Sequence, residues 1–411
     1  MKCMTVHRYL QLALVSWLLI VATHNLFYRD QWPQVLPADD LEISGVVSEI
    51  VSHEGRSQTF RIEADEYPGR VQVTTGGYPR VRVGDVVGVG CDLEPIADIY
   101  VEKFRYDRYL AKEKTYSVCR GYGSPTITDH EPGVRSRLFG FRDEFEHVMQ
   151  RNLVEPHASF LAGLLYGARS TLPDDIQDQF RKTGTMHIVA VSGYNVTLVA
   201  DVLLLILTAT FFKRQHAFWF VMVGILMFVI FAGGDPAVVR AGIMGGLVLI
   251  AKQLGRLQGT VTIFLIAAAI MTLVNPRVLL DDVGFQLSFA AAIGLVTLGP
   301  KIALKLTFIP TFLNARSILS ETLAAILATM PISILQFHQF SLVAPVANLL
   351  VVPLVSVTMM IGFVSMVVVL ITSSLGGSFL GPFIMLPSYA LLEAMLFIIE
   401  TLSPLPFIDF S

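Results

Sequence analysis

From residue 185 to its end the chain is a succession of apolar blocks of about 17 to 25 residues, with acids and bases confined to the short gaps between them. Backbone placed in hydrocarbon must satisfy its own N–H and C=O groups, so blocks of this length read as membrane-crossing helices. They lie near 185–212, 217–232, 236–254, 259–274, 283–299, 316–337, 343–371 and 376–402. One more precedes them. Lys2 and Arg8 flank the apolar run 9–27, which is long enough to cross a bilayer and lacks an A-x-A cleavage site. It reads as an uncleaved signal anchor, with a cleaved signal peptide as the alternative, and about nine spans result. Composition agrees: 53% of residues are hydrophobic, 15% are charged, and mean hydropathy is +0.61.

The first 184 residues are different. Between 39 and 122, "LEISGVVSEIV", "SQTFRIEA", "GRVQVTT" and "VGDVVGVGCDLEPI" are short, rich in Val and Ile, and broken by Gly, Pro and Asp turns. Four or five such strands predict a small barrel, and the OB type, which closes with about five strands, fits that number. Val134, Leu138, Phe141, Phe145 and Val148 recur at helical spacing, which predicts an amphipathic helix over 134–153, either on the membrane surface or packed on the barrel. "HASFLAGLLYGAR" is too short to span and is expected to be interfacial or re-entrant. The predicted fold class is therefore a polytopic α-helical membrane protein with a small all-β, OB-like barrel domain near the N-terminus. Its parts are an anchor (1–38), the OB-like domain (39–122), amphipathic and interfacial helices (123–184) and a transmembrane domain (185–411).

Loop charges orient the spans. Lys213, Arg214, Lys252, Arg256, Lys301, Lys305 and Arg316 fall on alternate gaps, which should be cytoplasmic, whereas the intervening gaps hold Asp235, Arg277, Asp281, Asp282 and His338. This topology agrees with a cytoplasmic N-terminus and an exported β domain. Cys91 and Cys119 both fall in that domain, apart from Cys3; they pair if it faces an oxidising compartment, as the topology favours, and otherwise are two small apolar residues.

Polar side chains inside apolar blocks are costly, so they are the default site candidates. On an unbroken helix His187, Asn195 and Asp201 fall within an arc of about 120°, with Ser192 about 60° beyond it. Such a stripe either lines a wet path or bonds to neighbouring helices. In "GGDPAVVRAGIMGG", Asp235 can cap a helix that opens at Pro236, and Arg240 lies a turn inside, snorkelling or facing the interior. The small residues that follow suit close packing. Gln286 and Ser288 repeat the theme, and Pro345, Asn348 and Pro353 in "APVANLLVVPL" predict a discontinuous helix beside a cavity, or a plain kink. The channel-lining candidates are His187, Ser192, Asn195, Asp201, Asp235, Arg240, Gln286 and Asn348.

"LPDDIQDQFRKTGTMHIVAVSGYNV", "GGDPAVVRAGIM", "DVGFQLSFAAAIGL" and "APVANLLVVPL", in this order over roughly 155–400, resemble the ComEC family of bacterial competence proteins. The β region, with "FRYDRYLAKEKTYSVC" ahead of its last strand, is similar to that family's external OB-like domain. The resemblance implies passage of single-stranded transforming DNA across the bacterial cytoplasmic membrane. It also implies as partners a cytosolic ATP-driven DNA translocase, an external DNA receptor and pilus machinery. Membrane lipid surrounds such a protein, and homo-oligomerisation is compatible with it. The family's S-G-L-H-V reads Ser192, Gly193, Tyr194, Asn195, Val196 here, so an amide stands at the histidine position. Many members carry a C-terminal metallo-β-lactamase-like domain; the chain ends at Ser411 without an H-x-H-x-D-H cluster, and the expectation is no nuclease activity, no metal and no cofactor.

A polyanion needs some cationic attraction, but a heavily basic pore would hold it too tightly to move. The sparsely basic spans suit that requirement. Residues 39–122 hold eleven Lys and Arg against fifteen Asp and Glu, so the β domain is not basic overall. Within it Lys103, Phe104, Arg105, Tyr106, Arg108, Tyr109, Lys112 and Lys114 interleave cations with aromatic rings, a mixture suited to stacking and phosphate contact, or to closing a barrel. No G-x-x-x-x-G-K-[ST] loop is present, so directional transport needs a separate motor. No catalytic residue is assigned. Two other readings are an intramembrane serine protease using Ser192 with His187 or His338, and a small-solute transporter.

Overall fold

In the computed structural model, residues 2–409 are described apart from 29, 55, 98, 102, 103, 132, 169–171, 190–192, 210–213, 235, 254–259, 310–313 and 406. They form two compact units. A β-rich unit comprises Ser16–Arg142 and Thr272–Asp282, and a helical unit comprises Met1–Val15, Asp143–Met271 and Val283–Ser411. The chain opens with helix α1 (Lys2–Tyr28).

The β-rich unit is built on β1 (Ala38–Glu54), β2 (Ser57–Glu63), β3 (Arg70–Gly76), β4 (Asp85–Pro95), the short pair β5 (Tyr100–Val101) and β6 (Phe104–Arg105), helix α2 (Tyr106–Lys112), β7 (Thr115–Gly121) and β8 (Thr126–His130). Alternation decides which faces are buried: in β4, Val87, Val89, Cys91 and Leu93 point inward while their neighbours are half-buried, as a period of two requires. The main sheet runs β1-β2-β3-β7-β4-β8, with β3 and β7 parallel. Because β1 pairs with β2 through its second half and with β4 through its first, the hydrogen-bonded order returns to its starting strand. On its other edge β4 meets β7 near Cys91–Pro95 and β8 near Asp85–Gly88. Cys91 and Cys119 are disulfide-bonded and fully buried, with Cα atoms 5.6 Å apart.

The middle of the chain contributes to this unit as well. Thr272–Asp282, including helix α11 (Val278–Asp281), packs with the β structure: Asn275 donates to the Lys112 carbonyl at 2.9 Å, and Trp17 Nε1 donates to Thr272 Oγ1 at 3.2 Å.

The helical unit follows the apolar blocks. Its helices are α3 (Val134–Asn152, its first residues in the β-rich unit), α4 (His157–Tyr166), α5 (Asp174–Lys182), α6 (Met186–Val189), α7 (Gly193–Ala209), α8 (Arg214–Phe231), α9 (Pro236–Gln253) and α10 (Thr260–Val274). After α11 come α12 (Val283–Thr297), α13 (Gly299–Lys305), α14 (Ala315–Phe337), α15 (Ala344–Ser374) and α16 (Gly381–Leu402), with β9 (Gln339–Ser341) and β10 (Phe407–Asp409) pairing antiparallel. Among the described residues four helices are long and apolar enough to cross a membrane: Leu10–Tyr28, Ala315–Phe337, Ala344–Ser374 and Gly381–Leu402. A fifth counts if α12 and α13, bent by 48° at Leu298, act as one span. Among the described residues the other apolar stretches, His157–Tyr166, Asn195–Leu205, His216–Phe231, Pro236–Ala251 and Thr260–Val274, are helical over 10–17 residues each.

Three local expectations meet the fold here. First, all ten residues of α4 are buried, so this short helix lies in the core of its unit. It nests against α15 so closely that a Cβ at Gly362 would stand 2.6 Å from Leu161. Second, α15 is one continuous helix of 31 residues: Pro345 sits in the first turn, where its missing N–H costs nothing, and Pro353 is accommodated inside. Third, the stripe of His187, Asn195 and Asp201 is drawn on one unbroken helix; His187 lies on α6 and Asn195 and Asp201 lie on α7, and residues 190–192 between them lie outside the described residues.

Candidate functional site

Asn195 lies in the first turn of α7 and is buried at 2% exposure; its Nδ2 donates to the carbonyl of Leu164 at 3.1 Å. Leu164 is in the last turn of α4, where carbonyls lack acceptors' usual partners within the helix, so the amide completes a helix end. Six residues on, about 120° around the helix, Asp201 is exposed. It lines an open cleft of 260 Å³ with Thr197, Leu198, Val202, Leu205 and Met360, and among the described channel-lining candidates this cleft takes Asp201 alone. His187, on α6, donates from Nδ1 to the carbonyl of Gly184 at 3.2 Å. Gly184 has φ +68, and a Cβ there would stand 2.7 Å from that of Ala344, so glycine lets this turn close on the start of α15.

Asn348, one turn into α15, is buried, and its Oδ1 has no hydrogen bond among the described residues. Arg240 is buried on α9, and Gln286 is half-buried on α12. Ser192 and Asp235 lie outside the described residues. The small residues beside Arg240 serve packing: a Cβ at Gly242 would stand 2.7 Å from Val229 on α8.

One polar pair escaped the sequence reading. His157, in the first turn of α4, meets Glu393 of α16 with Nε2 and Oε2 2.6 Å apart, and its ring stacks on Tyr389 at 4.4 Å. The ring is buried, and its Nδ1 has no partner among the described residues. The signal was present: Glu393 is a lone acid in the middle of the apolar block "YALLEAMLFII".

In the β-rich unit, most of the cation-aromatic segment is engaged internally. Arg105 pairs with Asp107 at 2.5 Å and also with Asp30, while Arg108 pairs with Asp30 at 2.9 Å. Tyr106 shares hydrogen bonds with Gln72 and stacks on Tyr109 at 5.6 Å. Lys112 is 6% exposed and lies 3.0 Å from Glu113, 3.4 Å from Asp282 and 4.8 Å above the Tyr109 ring. Burial pushes the Lys112 ammonium down, but Asp282 and Glu113 outweigh it and raise the group above its ordinary value, so it stays charged. Buried Arg61 follows the same logic with Glu49 at 2.9 Å. Phe104 lies in β6, and Lys103 lies outside the described residues.

Lys114 differs. It has φ +56, is exposed, and lines a cleft of 330 Å³ within the β-rich unit, together with His24, Tyr28, Tyr116, Asn275 and Arg277. Arg277 is anchored there by the Gln31 carbonyl and lies over the Trp32 ring. A cation beside several rings can bind a phosphate and stack a planar group.

Comparison with known proteins places these helices. The family model described as "Competence protein" matches residues 164–411. ComE operon protein 3 of Bacillus subtilis (strain 168) is 24% identical over 359 residues, covering 85% of this chain and 45% of that protein. The Uncharacterized protein YcaI of Escherichia coli (strain K12) is 27% identical over 214 residues, 49% of this chain and 28% of that one. The chain thus spans less than half the length of either relative. No solved structure matches it significantly.

Proposed function

Because the chain belongs to the Competence protein family, we propose that it passes single-stranded DNA inward across the bacterial cytoplasmic membrane during natural transformation. The observation that carries this reading is the family match itself, which runs through every helix from α5 to α16 and therefore through the channel-lining candidates. The polar groups of that region fit the task. Gln286 and Asn348 are neutral amides, which give a sugar-phosphate chain hydrogen-bonding partners without the grip of a cationic lining, while Asn195 holds the end of α4.

The β-rich unit receives the strand on the outer side. Two features support that orientation. Thr272–Asp282 lies in one compact unit with the strands, and the alternation of loop charges assigns both to the same face of the membrane. The Cys91–Cys119 disulfide belongs in an oxidising compartment. We read the returning strand order as an OB-type barrel, and the cleft of Lys114, Tyr28 and Tyr116 as a place where a nucleotide stacks and a phosphate is held. Arg105, Arg108 and Lys112 then act indirectly, by holding α2 in place. A cytosolic ATP-driven translocase, an external receptor and pilus machinery complete the pathway.

Deletion in the native host tests the proposal, with labelled DNA scored outside and inside the cytoplasmic membrane. DNA accumulates outside and entry falls to background if the reading holds. Undiminished entry overturns it.

A further inference from the structure

The geometry points to a second, hydrolytic site on the β-rich unit: we propose that Ser136, His130 and Asp85 form a nucleophile, base and orienting acid that cleave carboxylic esters. None of these residues belongs to the channel, to the Lys114 cleft or to the family match, and the proposal stands apart from the DNA-uptake reading.

Each member is placed by a different element. Asp85 opens β4 and is buried, and His130 ends β8, directly opposite it in the antiparallel register. Asp85 Oδ2 accepts the backbone N–H of Arg82 at 2.7 Å, which aims Oδ1 at His130 Nδ1, also 2.7 Å away. An ionised carboxylate can only accept, so Nδ1 carries the ring proton and Nε2 presents its lone pair. That lone pair meets Ser136 Oγ at 2.7 Å, in the first turn of α3. Nucleophile, base and orienter thus stand in one hydrogen-bonded line with the tautomer the chemistry needs.

Gly84 makes the approach possible. Its φ is +98, and a Cβ there would lie 3.1 Å from Ser136 Cβ and 3.3 Å from His130 Cε1. The site is also reachable, since the His130 side chain is 46% exposed and Ser136 is half-buried. The Ser136 hydroxyl, in the first turn of α3, is aimed at the imidazole of His130.

The reaction balances with water as co-reactant. Ser136 Oγ bonds to the ester carbonyl carbon as its proton passes to His130 Nε2. The tetrahedral oxyanion collapses, the C–O bond to the alcohol breaks, and the alcohol leaves with the proton from Nε2. Water then adds to the acyl carbon and gives a proton to Nε2. The bond from carbon to Oγ breaks, the carboxylic acid leaves, and Nε2 returns the proton to Oγ.

The test uses the full chain in detergent or nanodiscs, with a fluorophosphonate probe and peptide mapping of the adduct, and p-nitrophenyl acetate as substrate. The adduct is expected on Ser136, absent in Ser136→Ala, and formed about 10²-fold or more slowly in His130→Ala. Ester turnover should fall in parallel. Ser136→Ala, which removes one partly exposed hydroxyl, keeps the Asp85–His130 pair and should melt with the wild type, so lost labelling there reports chemistry. No adduct on Ser136, or an adduct that forms at the same rate without His130, overturns the proposal.

Discussion

The two units differ in how much charge they bury: among the described arginines, lysines and acids the helical unit buries Arg240, whereas the β-rich unit buries Arg61, Asp85, Asp107, Lys112, Asp281 and Asp282. In the β-rich unit, full charges are buried and neutralised by carboxylates at close range: Arg61 by Glu49, and Lys112 by Glu113 and Asp282. In the helical unit, the polar groups that reach the interior include uncharged amides such as Asn195, which caps the end of α4, and Asn348. A group with one good donor and a carbonyl to receive it can sit in a helix bundle at modest cost, whereas an ion needs a counter-ion and several hydrogen bonds. Charges therefore gather where strands, a short helix and a returning loop can surround them with acids.

The strongest way to break that comparison is to remove one side of a buried ion pair. Lys112→Met leaves Asp282, 7% exposed, without its cation, and should destabilise the β-rich unit by about 3–5 kcal/mol. Asp282→Leu alone should cost a similar amount, yet the double variant should recover most of the loss, because an apolar pair of similar volume restores packing without a stranded charge. Thiol trapping of Cys91 and Cys119 under reductant reports opening of the unit. Additive losses in the double variant would mean that the two charges do not compensate each other.

A smaller effect is expected from the disulfide. Cys91 and Cys119 are 28 residues apart in sequence, and a closed loop of that size restricts the unfolded chain by about 3–4 kcal/mol in the chain-entropy picture. Replacing both by alanine should lower the thermal midpoint of the β-rich unit and leave the helical unit unchanged. A shift in the helical unit of the same size would show that the two do not melt as separate bodies.

The same contrast explains what the sequence made legible. Apolar blocks marked the helices, because periodicity and length are local properties, and alternating Val and Ile marked the strands for the same reason. Tertiary partners are not local. Nothing near Lys112 says that its carboxylate comes from Asp282, 170 positions later, so the segment 103–114 read as a ligand surface although the structure shows Arg105, Arg108 and Lys112 already engaged with acids. Asn195 read as lining a wet path or bonding to a neighbouring helix, and its particular partner was not legible because the end of α4 is itself only visible in the fold. Pro345 and Pro353 read as a break or a plain kink; the first fell at a helix start and the helix runs on through the second. The pairing of His130 with Asp85 and Ser136 follows from strand register, which no motif records.

The weakest expected effect sharpens the comparison at the surface, where water screens charge. Tyr122 is exposed and Asp92 is half-buried on β4, and the tyrosine hydroxyl bonds to the carboxylate. That bond favours the protonated phenol, and the neighbouring negative charge adds to it, so Tyr122 is pushed up to about 12 while Asp92 is held below its ordinary value. The sign follows from which state holds the proton. For Tyr122, the folded value lies above the unfolded one, so its contribution is complete below about pH 10 and disappears as pH rises through about 12. For Asp92, the folded value lies below the unfolded one, so its contribution is present above the ordinary carboxylate range and is lost as pH falls through the depressed value. Asp92→Asn should bring Tyr122 back toward the ordinary tyrosine range in a tyrosinate absorbance titration, with Tyr122→Phe identifying the band. An unshifted band in Asp92→Asn would assign the elevation to something other than this bond, and would leave the buried pairs as the unit's principal electrostatic contribution.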